Sequence, residues 1–277
     1  MSEQQAATLI RIEQGDDFVA LVELCNPPFN FFELGMVQAL GNAFDRLDAD
    51  PDCRAIVLAA AGQAFCAGAN FGDGRDTDNA LGGVPQQGAV TAGAGFSFSS
   101  ARLYEQAVRL FGNRKPIVAA IHGAAIGGGL GLALVADFRV TCPQARFSAN
   151  FTQLGIHPGF GLTHTLPALI GPQRAQWLFY TGGRIKGDEA VAIGLADRLV
   201  EQDQVRDTAR AMAREIAAAA PLAVVSLRQT LRMGLAERVR AATQREQQEQ
   251  AWLIQTADAR EGMSASFARR TPRFEAR

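Results

Sequence analysis

Three observations predict an α/β fold. Short apolar runs of the kind that fill buried strands recur at Ala55–Ala60, Ile117–Ile121 and Phe138–Cys142. Helix-period segments separate them, so crossover connections can join parallel strands. After about Gln202 no strand-like segment remains, and the chain turns rich in Ala, Arg, Gln and Glu. A core over residues 1–202 is therefore expected, followed by a helical module over 203–277. The thin apolar content of that module requires packing against the core or another subunit.

Taken in order, Thr8–Gln14 and Phe18–Cys25 alternate around the turn Gly15-Asp16-Asp17 and predict a hairpin. Met36, Val37, Leu40, Phe44 and Leu47 share one face of a helix over Leu34–Asp48. Further helices are expected at Ser100–Phe111, Gly128–Ala136, Val205–Ala220, Leu222–Gly234 and Leu235–Ala257. Residues 72–100 hold seven glycines and few apolar anchors. Structureless stretches beyond roughly 15 residues are either functional lids or tolerated insertions. Both possibilities stay open here.

Composition excludes several classes. Of the 277 residues, 48% are hydrophobic, ample for a packed core. A net charge of −1 supplies no field for a nucleic-acid backbone, so nucleic acid is not an expected partner. Four scattered cysteines and three histidines offer neither a metal-finger spacing nor a disulfide framework. Pro116–Ala136 runs 21 residues without Asp, Glu, Lys or Arg, long enough to span a bilayer. Its glycine triplet, His122 and polar exit at Asp137-Phe138-Arg139 favour a strand, a tight turn and a buried helix instead. With no signal-peptide pattern at the start, a soluble cytoplasmic protein is expected, without a membrane partner.

Two loops carry the chemistry. Gly127-Gly128-Gly129 opens an apolar helix directly after a buried strand, where unusual dihedrals or close approach are needed. The helix start leaves N–H groups unpaired, a place for an anion. Phe65-Cys66-Ala67-Gly68-Ala69-Asn70 follows another buried strand and is small enough to let a ligand touch backbone. Two such loops can converge N–H groups on one oxygen. No GxSxG turn and no GxGxxG spacing is present, which argues against a serine hydrolase and a dinucleotide site.

The segment Pro116–Asp137, with the stretch Phe65–Asn70, resembles the signature of the enoyl-CoA hydratase/isomerase (crotonase) superfamily. Pro27-Pro28-Phe29-Asn30, Leu154–Gly159, Thr181–Arg184, Ala190–Leu195 and Phe267–Phe274 extend the likeness in order along nearly the whole chain. The resemblance implies a spiral of strand–strand–helix units with a C-terminal helical module, in homotrimers or dimers of trimers. It implies a CoA thioester as substrate and no separate cofactor or metal. The backbone N–H groups of Ala69 and Gly128 would form the oxyanion hole. Ala67 would lie near the CoA adenine, and Gly127, Gly131 and Phe151 would border the bound substrate.

One departure matters. The two glutamates of the family's hydratases fall here on Gly131 and Phe151, and a further carboxylate used by some relatives falls on Gly159. Water addition needs a base and an acid, and these residues supply neither. His157 is the first replacement candidate, since histidine titrates near neutrality. Tyr104 and Glu105 could face the acyl pocket. Asp73, Asp76 and Asp78 fall on the glycine-rich loop, Asn70 offers a hydrogen bond, and His122 and His164 read as structural. Three functions stay open: a lyase or isomerase with non-standard acid–base groups, another enolate reaction such as decarboxylation or hydrolysis, or a silent acyl-CoA binder.

Overall fold

In a computed structural model, residues 9–68 and 94–277 are described. The turn after Gln14 folds β1 (Ile10–Gln14) antiparallel onto β2 (Val19–Leu24), with Ile12 opposite Val22. Every residue of β2 is buried, even Glu23, whose carboxylate is held by Arg11 and Arg206. Helix α1 (Leu34–Ala49) presents the face expected of it, and β3 (Ala55–Ala60) runs parallel to β2. Both β3 and β4 (Ile117–Ile121) are buried along their whole length, as continuous apolar runs require. With β6 (Phe138–Thr141) and β9 (Arg198–Leu199) they complete a six-stranded sheet in the order β1-β2-β3-β4-β6-β9.

A second sheet, β5-β7-β8, was not visible in the sequence because its strands span three residues each. They are β5 (Ala124–Ile126), β7 (Arg146–Ser148) and β8 (Arg184–Lys186). Strand β4 passes into β5, and β6 into β7, after only a few residues. Behind β3, Cys66 makes a single parallel bridge to Ala125. Each pair of strands is then followed by helical chain: α2 (Ala94–Leu110), α3 (Gly128–Ala133), and a 3-10 turn at Asn150–Leu154 leading to α4 (Leu162–Ile170). That is the expected repetition of strand–strand–helix units. Helix α2 begins at Ala94, earlier than the Ser100 start expected from periodicity, so part of the glycine-rich stretch is helical. Residues 72–93 lie outside the described residues.

Helices α5 (Pro172–Thr181) and α6 (Gly187–Ala192) flank β8. Helix α7 (Val205–Ala217) buries Val205, Ala209, Ala213 and Ala217, one per turn, against strands of the large sheet. The change of texture near residue 202 is thus followed by a helix that shares the core. Helix α8 (Pro221–Leu231) is anchored by buried Arg228, which binds Asp137 and the carbonyl of Asn113. Helix α9 (Leu235–Leu253) packs on α2 and α4, and a separate α10 (Ala257–Phe267) packs on the 3-10 turn. The uncharged segment 116–136 resolves into β4, β5 and α3. Among the described residues no helix is long and apolar enough to cross a membrane.

The outer face of α7 reaches the first hairpin turn, where Arg214 and Arg210 bind Asp17 at 2.7 and 3.1 Å. Burial alone would raise the Asp17 carboxyl, but these hydrogen bonds outweigh it and hold the group at about 2, against an ordinary 3.8. A depressed acid stabilises the fold above its unfolded value and loses that contribution as pH falls through the folded one. Discounted for partial exposure, it is worth about 1 kcal/mol. Urea titrations should therefore show Asp17→Asn less stable than wild type by about 1 kcal/mol at neutral pH, the gap closing between about pH 4 and pH 2. A gap independent of pH would contradict the pairing.

Candidate active site

Three glycines solve a packing problem where β5 meets α3. Gly127 adopts φ +55°, a region that L side chains avoid, and its N–H donates to the Ser148 carbonyl at 2.9 Å. Gly128 begins α3, so the helix itself offers its N–H no partner. A Cβ on Gly129 would fall 2.0 Å from the carbonyl oxygen of Cys66. Only glycine lets the helix come this close.

The loop after β3 is fixed from the other side. Cys66 accepts from Ile126 and donates to Ala124, at 3.0 and 2.9 Å. Burial pushes its thiol up to about 12, leaving it neutral. The Ala67 N–H donates to Phe29, and the Gly68 carbonyl accepts from Phe32 at 2.8 Å. Fully buried Asn30 joins the same segments, donating to the carbonyls of Ala61 and Ala64 and accepting from Asn26.

These loops border a cavity of about 950 Å³. Ala67, Gly68, Gly127 and Gly128 line it, together with the rings of Phe29, Phe31, Phe32, Phe151 and Phe160. Phe32 meets Phe160 edge to face at 5.0 Å, and its ring lies 3.2 Å from where a Gly128 Cβ would be. The wall is aromatic from the backbone loops inward.

The residues expected at the site are placed unevenly. Ala67, Gly127, Gly128 and Phe151 are on the lining. Ala69 lies outside the described residues, immediately after Gly68; so do Asn70, Asp73, Asp76 and Asp78. Gly131 is buried but does not reach the cavity. A Cβ there would collide with the Phe160 ring at 2.5 Å, so Phe160 fills the space a side chain at 131 would need. To do so Phe160 holds φ +64°, a costly conformation for a bulky residue.

His157 also differs from expectation. Its Nδ1 lies 2.9 Å from the carbonyl of Pro158, and the side chain is not on the lining. That contact holds the ring close to its own backbone. Glu105 is exposed, His122 contacts the Gly62 carbonyl at 3.0 Å, and His164 sits beside Arg238. Burial and the Arg238 charge push His164 down.

Tyr104 does line the cavity, with a partner that the sequence did not suggest. Its hydroxyl donates to Gln250 Oε1 at 2.6 Å, and Gln250 Nε2 donates to the His157 carbonyl at 2.8 Å. Burial, then the nearby Glu246 charge, push the Tyr104 phenol far up, so it stays protonated at neutral pH. Glu246 itself accepts from the Gly161 and Thr163 N–H groups and so caps α4. No spacing motif links residues 104 and 250.

Among the described residues, the lining contains no carboxylate, histidine, cysteine or lysine. Its ionisable groups are Tyr104 and four arginines: Arg146, Arg184, Arg269 and Arg270. Arg270 pairs with Glu261, and Arg146 donates to the carbonyls of Pro143, Gln144 and Ala145. Arg184 and Arg269 are exposed and make no ion pair among the described residues. The solvent end is positive and the inner end apolar.

Residues 14–277 match the enoyl-CoA hydratase/isomerase family. The chain belongs to that family. It is 33% identical to a putative enoyl-CoA hydratase of Thermus thermophilus over 271 residues, covering 96% of this chain and all of the relative. It is 34% identical to a carnitinyl-CoA dehydratase of Proteus mirabilis, over 76% of this chain and 75% of that one. A crystal structure of an enoyl-CoA hydratase/isomerase from Pseudoalteromonas atlantica superposes with a TM-score of 0.79 at 27% identity, covering 96% of this chain and 100% of that one. The strand–strand–helix spiral described above is the crotonase fold of this enoyl-CoA hydratase/isomerase family.

If Phe160 blocks position 131, Gly131→Ala should cost about 1–3 kcal/mol through overpacking. In a Phe160→Ala background, itself destabilised by about 3–5 kcal/mol, that cost should vanish. Urea denaturation of the four proteins gives the coupling. Additive losses would show that the two positions do not compete for space.

Proposed function

We propose that this chain is an acyl-CoA enzyme that stabilises a thioester enolate in a backbone oxyanion hole. The N–H of Gly128 supplies one donor and that of Ala69 the other. Ala67 borders the adenine end, and the positive rim, Arg184 and Arg269 above all, faces the CoA phosphates. Gly131 and Phe151 stand where the two-glutamate hydratases carry their acids. The observation that carries this reading is a lining with backbone N–H groups beside an aromatic wall and, among the described residues, no base.

A thioester carbonyl placed on these donors can accept negative charge that water would otherwise stabilise less specifically, an effect worth about 3–4 kcal/mol per donor. Such a site can hold an enolate but has no described group to make one by taking a proton. His157 is not carried forward as that group, because its ring is turned to its own backbone. Decarboxylation is favoured as the reaction on this scaffold. The electrons of the breaking carbon–carbon bond enter the enolate, carbon dioxide leaves, and the α-carbon then takes a proton from solvent. A silent acyl-CoA binder is the competing function. Exposed Leu222, Leu227, Leu231 and Met233 on and after α8 support assembly into trimers or pairs of trimers.

Hydration of crotonyl-CoA should run at least 10²–10⁴-fold below a two-glutamate hydratase, the usual loss for a missing general acid or base. Turnover at hundreds per second (roughly the upper range of ordinary enzymes) would overturn the mechanism. Gly128→Val, checked for folding by thermal melt, should weaken binding of a non-hydrolysable acyl-CoA by about tenfold or more in calorimetry. Unchanged affinity would place the ligand elsewhere. Carbon dioxide release from malonyl- or methylmalonyl-CoA separates the decarboxylase from the binder.

A further inference from the structure

Tyr104 lines the cavity beside the rings of Phe32 and Phe160, and its contacts fix what its hydroxyl can offer a ligand. The His157 carbonyl can only accept, so Gln250 must turn Nε2 toward it; a flipped amide would set oxygen against oxygen. Gln250 Oε1 is thereby aimed at Tyr104, 2.6 Å away, where it takes the phenol's one proton. A tyrosine hydroxyl has one donor and two lone pairs. With the donor committed, what remains is an acceptor.

Gly159 is what lets the hydroxyl sit here. A Cβ at 159 would fall 2.2 Å from the Tyr104 oxygen, so the hydroxyl occupies the volume that any other residue would fill. Tyr104, Gln250 and Gly159 all line the cavity. Tyr104 is 7% exposed and Gln250 1%, so little water reaches the pair. Among the described residues no group donates to that oxygen, and a buried acceptor without a donor carries a desolvation cost that a ligand donor removes.

Position along the acyl path follows from the rings. Phe32 lies against Gly128, Phe160 stands edge-on to Phe32, and Gly159 precedes Phe160 in the chain. The Phe32–Phe160 pair thus links Gly128 to the Gly159–Tyr104 contact along the lining. We propose that the Tyr104 oxygen, its proton held by Gln250, selects acyl groups that carry a hydroxyl at the end distal to the thioester. Gln250 is the positioning residue. The inference rests on the acyl-CoA reading and names the acyl class that reading left open.

Calorimetry with ketone analogues, in which a methylene replaces the thioester sulfur, tests it without turnover. Two matched pairs serve: hexanoyl against 6-hydroxyhexanoyl, and phenylacetyl against 4-hydroxyphenylacetyl. Wild type should bind the hydroxylated member of at least one pair about tenfold more tightly, the usual return on one hydrogen bond. Tyr104→Phe should abolish that ratio while leaving the unsubstituted member bound as before. A purely structural role for Tyr104 would weaken both members together and keep the ratio. Gly159→Ala, which presses on the hydroxyl without changing residue 104, should also reduce the ratio and covers the case in which Tyr104→Phe fails to fold. Equal binding of both members in both pairs, or a ratio that survives in Tyr104→Phe, overturns this proposal alone. Failure of every analogue to bind overturns the acyl-CoA reading, and this inference falls with it.

Discussion

The approach of the Gly129 backbone to the Cys66 carbonyl fixes the geometry of the site. Cys66 already uses its N–H and carbonyl on β5, so the loop after β3, the strand β5 and the start of α3 are locked to one another. Asn30 extends the lock to the segment after β2 through three hydrogen bonds. The contacts of Cys66 with β5 and with Gly129 are made by backbone groups. Backbone groups held by backbone contacts are insensitive to what the neighbouring side chains become.

Aromatic packing decides what the rest of the cavity can do. Phe160 closes the space beside Gly131, Phe32 lies against Gly128, and Phe151 occupies the place beside Gly127. An apolar wall lowers the local dielectric, so a hydrogen bond to a developing oxyanion gains strength while an unpaired charge loses it. The left-handed conformation of Phe160 costs about 1–3 kcal/mol and persists because rings on two sides hold it.

Much of this was readable in the sequence. The buried strands announced themselves as unbroken apolar runs, and the glycine triplet marked a close approach that the Cys66 contact now explains. That positions 131 and 151 carry no ionisable side chain was visible as residue type alone. The second sheet was not, because three-residue strands carry no measurable alternation. Phe160 as the occupant of the space beside 131 was equally hidden, since nothing local signals a phenylalanine at positive φ. The Tyr104–Gln250 pair joins residues 146 positions apart through packing of α9 on α2. His157 looked available because its type titrates near neutrality, whereas its orientation is set by the following proline's carbonyl.

The arginines at the cavity mouth have a kinetic side. With three lining guanidinium groups that have no carboxylate partner among the described residues, and no acid among the described lining residues, a polyanionic ligand meets a local field opposite to the chain's slight overall negative charge. Fields of this kind act before contact, over a Debye length of roughly 8 Å at physiological ionic strength. They raise the encounter rate and pre-turn the ligand so that its charged end stays outermost. Added salt would therefore slow capture far more than it would speed escape.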